Sequence, residues 1–251
     1  MSYSYTSLLT RLATYIDVLL PYFGHFRVKQ AFAWRHALRL QFEYAQSMRG
    51  GQIGHYYEFG VYQLRSIINF HRIRKLAAIR QPAYRRIGIY AFDSFEGLPE
   101  STAHDVPDPD WHKGAYAGAL PHLQDLARKE QIQDIEFIPG FYDKSLTDVL
   151  AKRLGSVPPS IIHIDCDLYS STITVLRWLD RIALPGATVF FDDIWKYCGN
   201  PDAGELKAIA EYNNDKNTRG LLIEDPLSLG SRMVYCYCPR DASECTASTP
   251  S

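Results

Sequence analysis

The 251-residue chain has a net charge of only −1 and no apolar run long enough to cross a membrane. Its 27 lysine and arginine residues are balanced by 28 acidic residues, so nothing attracts it electrostatically to nucleic acid or to an anionic membrane. The apolar stretch at residues 8–23 is interrupted by polar residues and a proline, and the first residues lack the basic segment of a signal peptide. We therefore expect a cytoplasmic protein.

Cysteine is also scarce, with five in the chain. Cys236 and Cys238 alternate in a strand-like run without a fourth ligand nearby, so we expect free buried thiols there rather than a zinc site. A dinucleotide-binding glycine fingerprint is missing, because Leu64 stands where the pattern needs another glycine after Gly60. The sequence thus gives no support for NAD or FAD.

A strand–helix–strand unit is predicted over residues 161–193. Two short runs of β-branched and aromatic residues flank residues 173–182, whose apolar spacing predicts an amphipathic helix. Seven strands with interleaved helices, the last two strands forming an antiparallel hairpin, predict a doubly wound and mostly parallel α/β sheet. The other strands are expected at residues 55–62, 86–93, 135–138, 221–224 and 232–238.

Both strands of this unit end in a pair of carboxylates, Asp165 with Asp167 and Asp192 with Asp193. The carboxyl ends of neighbouring parallel strands face one crevice, so we expect the pairs to converge there. Like charges so close would repel one another without a cation, and oxygen ligands favour a hard divalent ion such as Mg²⁺. One aspartate after a strand is ordinary turn chemistry, but two adjacent pairs indicate a functional site.

The first two strands also end in acids. Glu58 and Gly60 precede a helix predicted over residues 66–79, and a strand–glycine turn–helix arrangement presents backbone N–H groups to a cofactor. Asp93 ends the second strand, where an acid can accept hydrogen bonds from ribose hydroxyls. Residues 100–118 then read as a long loop, which favours a lid over a site, with a disordered insertion as the alternative.

The chain divides into an N-terminal helical extension (1–52), an α/β domain (53–239) and a flexible tail (240–251). Helices are predicted in the extension over residues 8–20 and 29–48. A lid, a homo-oligomer contact and plain packing are all open for it, and aromatic residues at helical spacing favour packing.

Five short strings make the chain resemble the macrocin O-methyltransferase (TylF) family from about residue 56 to about residue 213. They are YEFGVY at 57–62, FDSFEGLP at 92–99, GFY at 140–142, IDCDLYSST at 164–172 and FDD at 191–193. The resemblance implies a class I, Rossmann-like methyltransferase that uses S-adenosylmethionine and Mg²⁺. Its implied acceptor is a hydroxyl of a sugar or of a glycosylated or phenolic natural product.

The resemblance also implies roles for individual residues. Asp167 would be the general base, and Asp165, Asp192 and Asp193 would bind the metal. The cofactor-binding residues would be Glu58, Gly60, Tyr62 and Ser66 at the methionine end, Asp93 with Ser94 at the ribose, Phe141 and Tyr142 near the adenine, and Asp165.

Two positions depart from the family pattern, and they leave the acceptor open. Leu64 replaces a small residue in the first turn, where it could crowd the cofactor, and Cys166 replaces a glycine between two acids. His163 is a second candidate base, although its place inside a predicted strand favours a packed core histidine. A metal-dependent glycosyltransferase using Asp165-x-Asp167 remains an alternative function. A haloacid-dehalogenase-like phosphotransferase is disfavoured, because no lysine lies between the two acid pairs.

Overall fold

The computed structural model describes residues 25–105, 108–196, 198–225, 233–241 and 243. Its strands are β1 (His55–Phe59), β2 (Ile89–Asp93), β3 (Ile135–Pro139), β4 (Pro159–Ile164), β5 (Thr188–Phe191), β6 (Gly220–Glu224) and β7 (Met233–Pro239). Its helices are α1 (His25–Met48), α2 (Arg65–Arg80), α3 (Leu120–Lys129), α4 (Tyr142–Ser145), α5 (Asp148–Leu154), α6 (Tyr169–Leu179) and α7 (Gly204–Asn214), with a 3₁₀ turn at Pro82–Arg86.

The strands form one seven-stranded sheet in the order β3-β2-β1-β4-β5-β7-β6. β1 through β5 run parallel, whereas β7 is antiparallel to both β5 and β6. The predicted doubly wound sheet with its C-terminal antiparallel hairpin is therefore confirmed. The strand order reverses direction between β1 and β4, and ligands of such sheets bind beyond the carboxyl ends of the strands at this point.

The sheet is buried between two layers of helices. α1, α2 and α3 cover one face, where Trp34 of α1 lies fully buried against Tyr56, Phe70 and Phe190. α5, α6 and α7 cover the other face, where Trp178 packs against Phe92. Because both faces are covered, a central strand such as β4 is buried along its whole length, which explains its run of isoleucines.

The N-terminal helix of the described chain packs on the sheet. Besides Trp34, the buried amide of Gln41 donates to the Thr188 hydroxyl and the Gly186 carbonyl, both at 2.8 Å. The predicted helix over residues 8–20 and nearly all of the predicted tail lie outside the described residues. None of the described helices is long and apolar enough to cross a bilayer.

Two helices begin four residues before the predicted position, α1 at His25 rather than at residue 29 and α6 at Tyr169 rather than at residue 173. The start of α6 differs because the Thr172 and Thr174 hydroxyls bond back to backbone carbonyls in a polar first turn that shows no apolar period. α7 begins at Gly204, and Asn200 before it forms a local turn in which its side chain accepts from the Asp202 amide at 3.0 Å.

Candidate active site

A cavity of about 610 Å³ opens at the carboxyl ends of the central strands. This volume lies within the range of about 300–1,000 Å³ that is usual for small-molecule sites. All but one of the residues expected at the site line this cavity, and the exception is Glu58. The lining residues among them are Gly60, Tyr62, Ser66, Asp93, Ser94, Phe141, Tyr142, Asp165, Asp167, Asp192 and Asp193.

The turn after β1 depends on Gly60. Its φ is 87°, and a Cβ at this position would lie 1.8 Å from the Asp165 carbonyl oxygen, because the ends of β1 and β4 approach closely here. The Val61 amide, next in the chain, donates to the Asp93 carboxylate at 2.8 Å. The turn after β1 is thus fixed from two neighbouring strands.

Gly60→Ala should therefore destabilise the protein and distort the turn. Positive φ and a backbone clash are each costly, so we expect a loss of about 1–3 kcal/mol in the free energy of unfolding. Urea denaturation would measure it, with Gly114→Ala as the control. Gly114 also has a positive φ of 79°, but a Cβ added there would have no neighbouring atom within 4 Å. Equal losses for both variants would contradict the close-approach argument.

Glu58 lies beneath the turn and is fully buried. The hydroxyls of Tyr56 and Ser66 donate to its two carboxylate oxygens in short hydrogen bonds, and His163 Nδ1 lies 3.5 Å from Oε2. The predicted contact of Glu58 with the methionine end of a cofactor therefore stays a prediction, whereas Ser66, which Glu58 holds, does reach the cavity wall.

The residues expected around ribose and adenine form a second part of the wall. Asp93 accepts the Val61 and Phe95 amides at 2.8 Å, one on each carboxylate oxygen. The Ser94 hydroxyl donates to the Gly97 carbonyl at 2.7 Å and shapes the turn after β2. Burial raises the pKa of Tyr142 well above its ordinary value, so its hydroxyl stays neutral.

The two acid pairs converge at the cavity wall below the ends of β4 and β5, as the sequence predicts. Burial raises the pKa of Asp165 well above its usual range, and the neighbouring charges of Asp192 and Asp193 raise it further. Burial, the charge of Asp193 and a hydrogen bond to Asp193 raise the pKa of Asp167 to about 8. Without a cation, these groups resist ionisation near neutral pH.

Such a cluster suits a divalent cation. Among the described residues, one ligand atom from each of His163, Asp165 and Asp192 lies within 4.8 Å of the other two. Carboxylate oxygens suit Mg²⁺ and Mn²⁺, and an imidazole nitrogen adds affinity for transition metals. Asp193 was also expected as a ligand, but it lies outside this group, and its side chain forms a hydrogen bond with that of Asp167.

A fifth carboxylate supports the acid cluster from behind. Glu205, in the first turn of α7, is buried and accepts the Asp193 backbone amide at 2.9 Å. Burial and then the charge of Asp193 raise its pKa well above the usual range. Sequence reasoning missed Glu205, because a glutamate in the first turn of a helix is typical of ordinary surface helices.

The long loop between β2 and α3 forms another wall of the cavity. Its buried Asp105 accepts from the Ser170 amide at 3.1 Å and from the Ser170 hydroxyl at 3.0 Å, which ties the loop to α6. Trp111 is buried in a small cluster with Leu98 and Leu168, and the Lys196 ammonium lies 5.0 Å from its ring centre. The loop is thus an integral part of the site.

Of the two departures from the family pattern, Cys166 lines the cavity and Leu64 does not. Leu64 has φ 57° and is fully buried in the core below α2, so its side chain leaves the cavity wall. Cys166 lines the cavity and is buried, with its sulfur 3.5 Å from the Thr172 hydroxyl.

The family model described as macrocin O-methyltransferase (TylF) matches residues 40–224. A Streptomyces olivaceus protein named 8-demethyl-8-(2,3-dimethoxy-alpha-L-rhamnosyl)-tetracenomycin-C 4'-O-methyltransferase is 31% identical over 113 residues. That match spans 42% of this chain and 41% of the relative's length.

Solved structures share the fold. The calicheamicin methyltransferase CalS11 has a TM-score of 0.65 at 20% identity, with 92% of this chain and 90% of that chain covered. The O-methyltransferase NovP has a TM-score of 0.60 at 19% identity, with 84% and 80% covered.

Proposed function

Because the chain belongs to the macrocin O-methyltransferase (TylF) family, whose members are S-adenosylmethionine-dependent methyltransferases, we propose that it methylates a hydroxyl of a sugar on a small natural product. One observation supports this most directly. The glycine turn after β1, the acid after β2 and the acid pairs after β4 and β5 all line one cavity.

The cavity offers separate places for the methyl donor and the acceptor. The Gly60 turn, Asp93 and the aromatic pair Phe141 and Tyr142 form the donor side, where S-adenosylmethionine would supply an electrophilic methyl group. The acceptor side is the space between the acid cluster and the long loop. Its aromatic surfaces include Trp111, and rings of this kind suit the apolar faces of sugars and polyketides.

Asp167 is the base in this proposal. A neutral hydroxyl is a poor nucleophile, so its proton must leave as the bond to the methyl carbon forms. Asp167 lines the cavity from a backbone position with φ 62°, and its side chain hydrogen-bonds to Asp193. His163, the alternative base, is fully buried and does not line the cavity.

A divalent cation, Mg²⁺ by the family resemblance, would be held by Asp165 and Asp192, with Asp193 beside them. Its chemistry would be to acidify and orient the acceptor hydroxyl. The raised pKa values of Asp165 and Asp167 support this, because burial and the neighbouring carboxylates disfavour the ionised forms, which a bound cation would stabilise.

The names of two relatives support this choice of acceptor class. The Streptomyces olivaceus protein is named for a rhamnosyl group on tetracenomycin, and CalS11 is also described as a TDP-rhamnose 3'-O-methyltransferase. A deoxysugar, attached to an aglycone or to a nucleotide, is therefore the first acceptor class to test.

Calorimetric titration with S-adenosylhomocysteine tests the donor side of this proposal. We expect micromolar binding by the wild-type protein, with and without Mg²⁺, and much weaker binding by Gly60→Ala. No binding under either condition would contradict the methyltransferase proposal and favour the metal-dependent glycosyltransferase, for which nucleotide-sugar binding is the matching measurement.

A further inference from the structure

His163 is a buried histidine whose ring nitrogens have no hydrogen-bond partner among the described residues. It lies within β4, beside Glu58 of β1 and Phe190 of β5, with no exposed surface. Leaving a buried polar group unpaired costs about 1–3 kcal/mol, so an imidazole at this position calls for an explanation.

Core packing alone does not provide one. The ring makes an edge contact with Trp34 at 5.4 Å between centres, which a phenylalanine could make without burying two polar atoms. Apart from Glu58, the neighbours on the same sheet face, Tyr56, Ile161 and Phe190, are apolar or aromatic residues of one core cluster.

Three acidic residues lie next to the ring. A ring nitrogen of His163 and one carboxylate oxygen each from Asp165 and Asp192 lie within 4.8 Å of one another. Glu58 lies close to Nδ1, with Oε2 at 3.5 Å. Metal-binding histidines usually have a carboxylate or a carbonyl next to the ring nitrogen that does not bind the metal, which fixes the tautomer and the ring orientation.

We propose that His163 is a ligand of the metal, and that Asp165, Asp192 and His163 form a mixed nitrogen and oxygen site that prefers Mn²⁺ or another first-row transition ion to Mg²⁺. This inference rests on the proposed function for the presence of a metal. It assigns Nε2 of His163 as the ligand atom and gives Glu58 the role of orienting the ring, since Glu58 Oε2 lies 3.5 Å from Nδ1. The same role explains why Glu58 is buried behind the cavity wall rather than on it.

The metal preference follows from the donor atoms. Mg²⁺ binds oxygen ligands and keeps several of its waters. An imidazole nitrogen instead raises the affinity of a site for divalent first-row transition ions such as Mn²⁺. Replacing His163 should therefore weaken Mn²⁺ binding by about tenfold or more, as changes around metal ligands typically do. It should change Mg²⁺ binding much less, because an imidazole contributes little to a magnesium site.

Pulsed electron paramagnetic resonance of the full-length protein with Mn²⁺ tests the assignment. In the wild type we expect hyperfine coupling between Mn²⁺ and a ring nitrogen. When histidine alone is labelled with ¹⁵N, the coupling should appear at the ¹⁵N frequencies, which identifies the nitrogen as one of histidine. The coupling should be absent in His163→Phe, which keeps an aromatic ring in the core, or in His163→Gln if the first variant does not fold. His71→Phe is the control, since His71 is also buried but has Arg74 as its neighbour.

Three results would overturn the inference: Mn²⁺ bound without nitrogen coupling, coupling that persists in both His163 variants, or no Mn²⁺ binding by the wild type. Methyl transfer is measured separately on the same preparations. Nitrogen coupling without any methyl transfer would count against the proposed function and leave the ligand assignment standing.

Discussion

Replacing Asp167 by asparagine is expected to lower kcat by roughly 10²–10⁴-fold, the usual contribution of a general base. The amide has almost the same shape as the carboxyl group, so the cavity and the S-adenosylhomocysteine affinity should be retained. What the variant loses is the ability to take the acceptor's proton. Steady-state methyl transfer with a deoxysugar acceptor, together with calorimetry, separates these two effects.

The environment of Asp167 is suited to this role. Burial, the charge of Asp193 and their mutual hydrogen bond raise the pKa of Asp167 to about 8, whereas Lys196 acts in the opposite direction. A base is most effective when its pKa lies near the working pH. A cation among the acids would lower this pKa. The kcat of the wild type should therefore fall at low pH as Asp167 becomes protonated, whereas the residual kcat of Asp167→Asn should lack this dependence.

The matched control is Asp143→Asn. Asp143 lines the same cavity at the start of α4, but it lies outside the acid cluster and pairs with Lys144 at 2.9 Å. Its variant should keep kcat within a few-fold of wild type. Turnover by Asp167→Asn close to that of Asp143→Asn would refute the assignment of the base.

Much of the fold is predictable from the sequence, because each parallel strand is a short apolar run followed by a turn. β4 is the clearest case, since a run of isoleucines signals burial on both faces and the acids after it mark the strand end. Helix starts are less predictable. At α6, hydroxyl-to-carbonyl hydrogen bonds replace the apolar spacing that marks most helices.

The acid pairs were also predictable, because topology alone brings the ends of β4 and β5 together. Partners that come from distant parts of the chain were not. The contact between Glu205 and the Asp193 amide depends on how α7 packs, and the link from Asp105 to Ser170 joins residues 65 positions apart. The placement of Leu64 was not predictable either, since the direction of its side chain depends on a positive φ that the sequence does not reveal.

Removal of divalent cations should abolish turnover and make the stability of the protein fall as pH rises. In the metal-free protein, the pKa of Asp167 is about 8 against a reference value of 3.8, and the pKa values of Asp165 and Glu205 are raised in the same direction. The folded state therefore binds more protons than the unfolded state between about pH 4 and pH 8.

The sign of the effect follows from this difference in bound protons. Stability is greatest below the unfolded pKa values and is lost as pH rises through the folded ones, because ionising the buried acids costs free energy only in the folded state. Each 1 kcal/mol lost should lower Tm by about 2–4 °C for a chain of this size. Thermal unfolding in EDTA from pH 5 to pH 8 measures this fall.

Added divalent cation should reverse the fall, because a bound cation balances the ionised carboxylates and binds only the folded state. Asp167→Asn provides an independent check without any metal. Its neutral amide avoids one ionisation, so at pH 8 in EDTA the variant should unfold at a higher temperature than the wild type, although it is inactive. A Tm that does not change with pH in EDTA would show that the acid cluster is stable without a cation. Full turnover in EDTA would show that catalysis needs no cation.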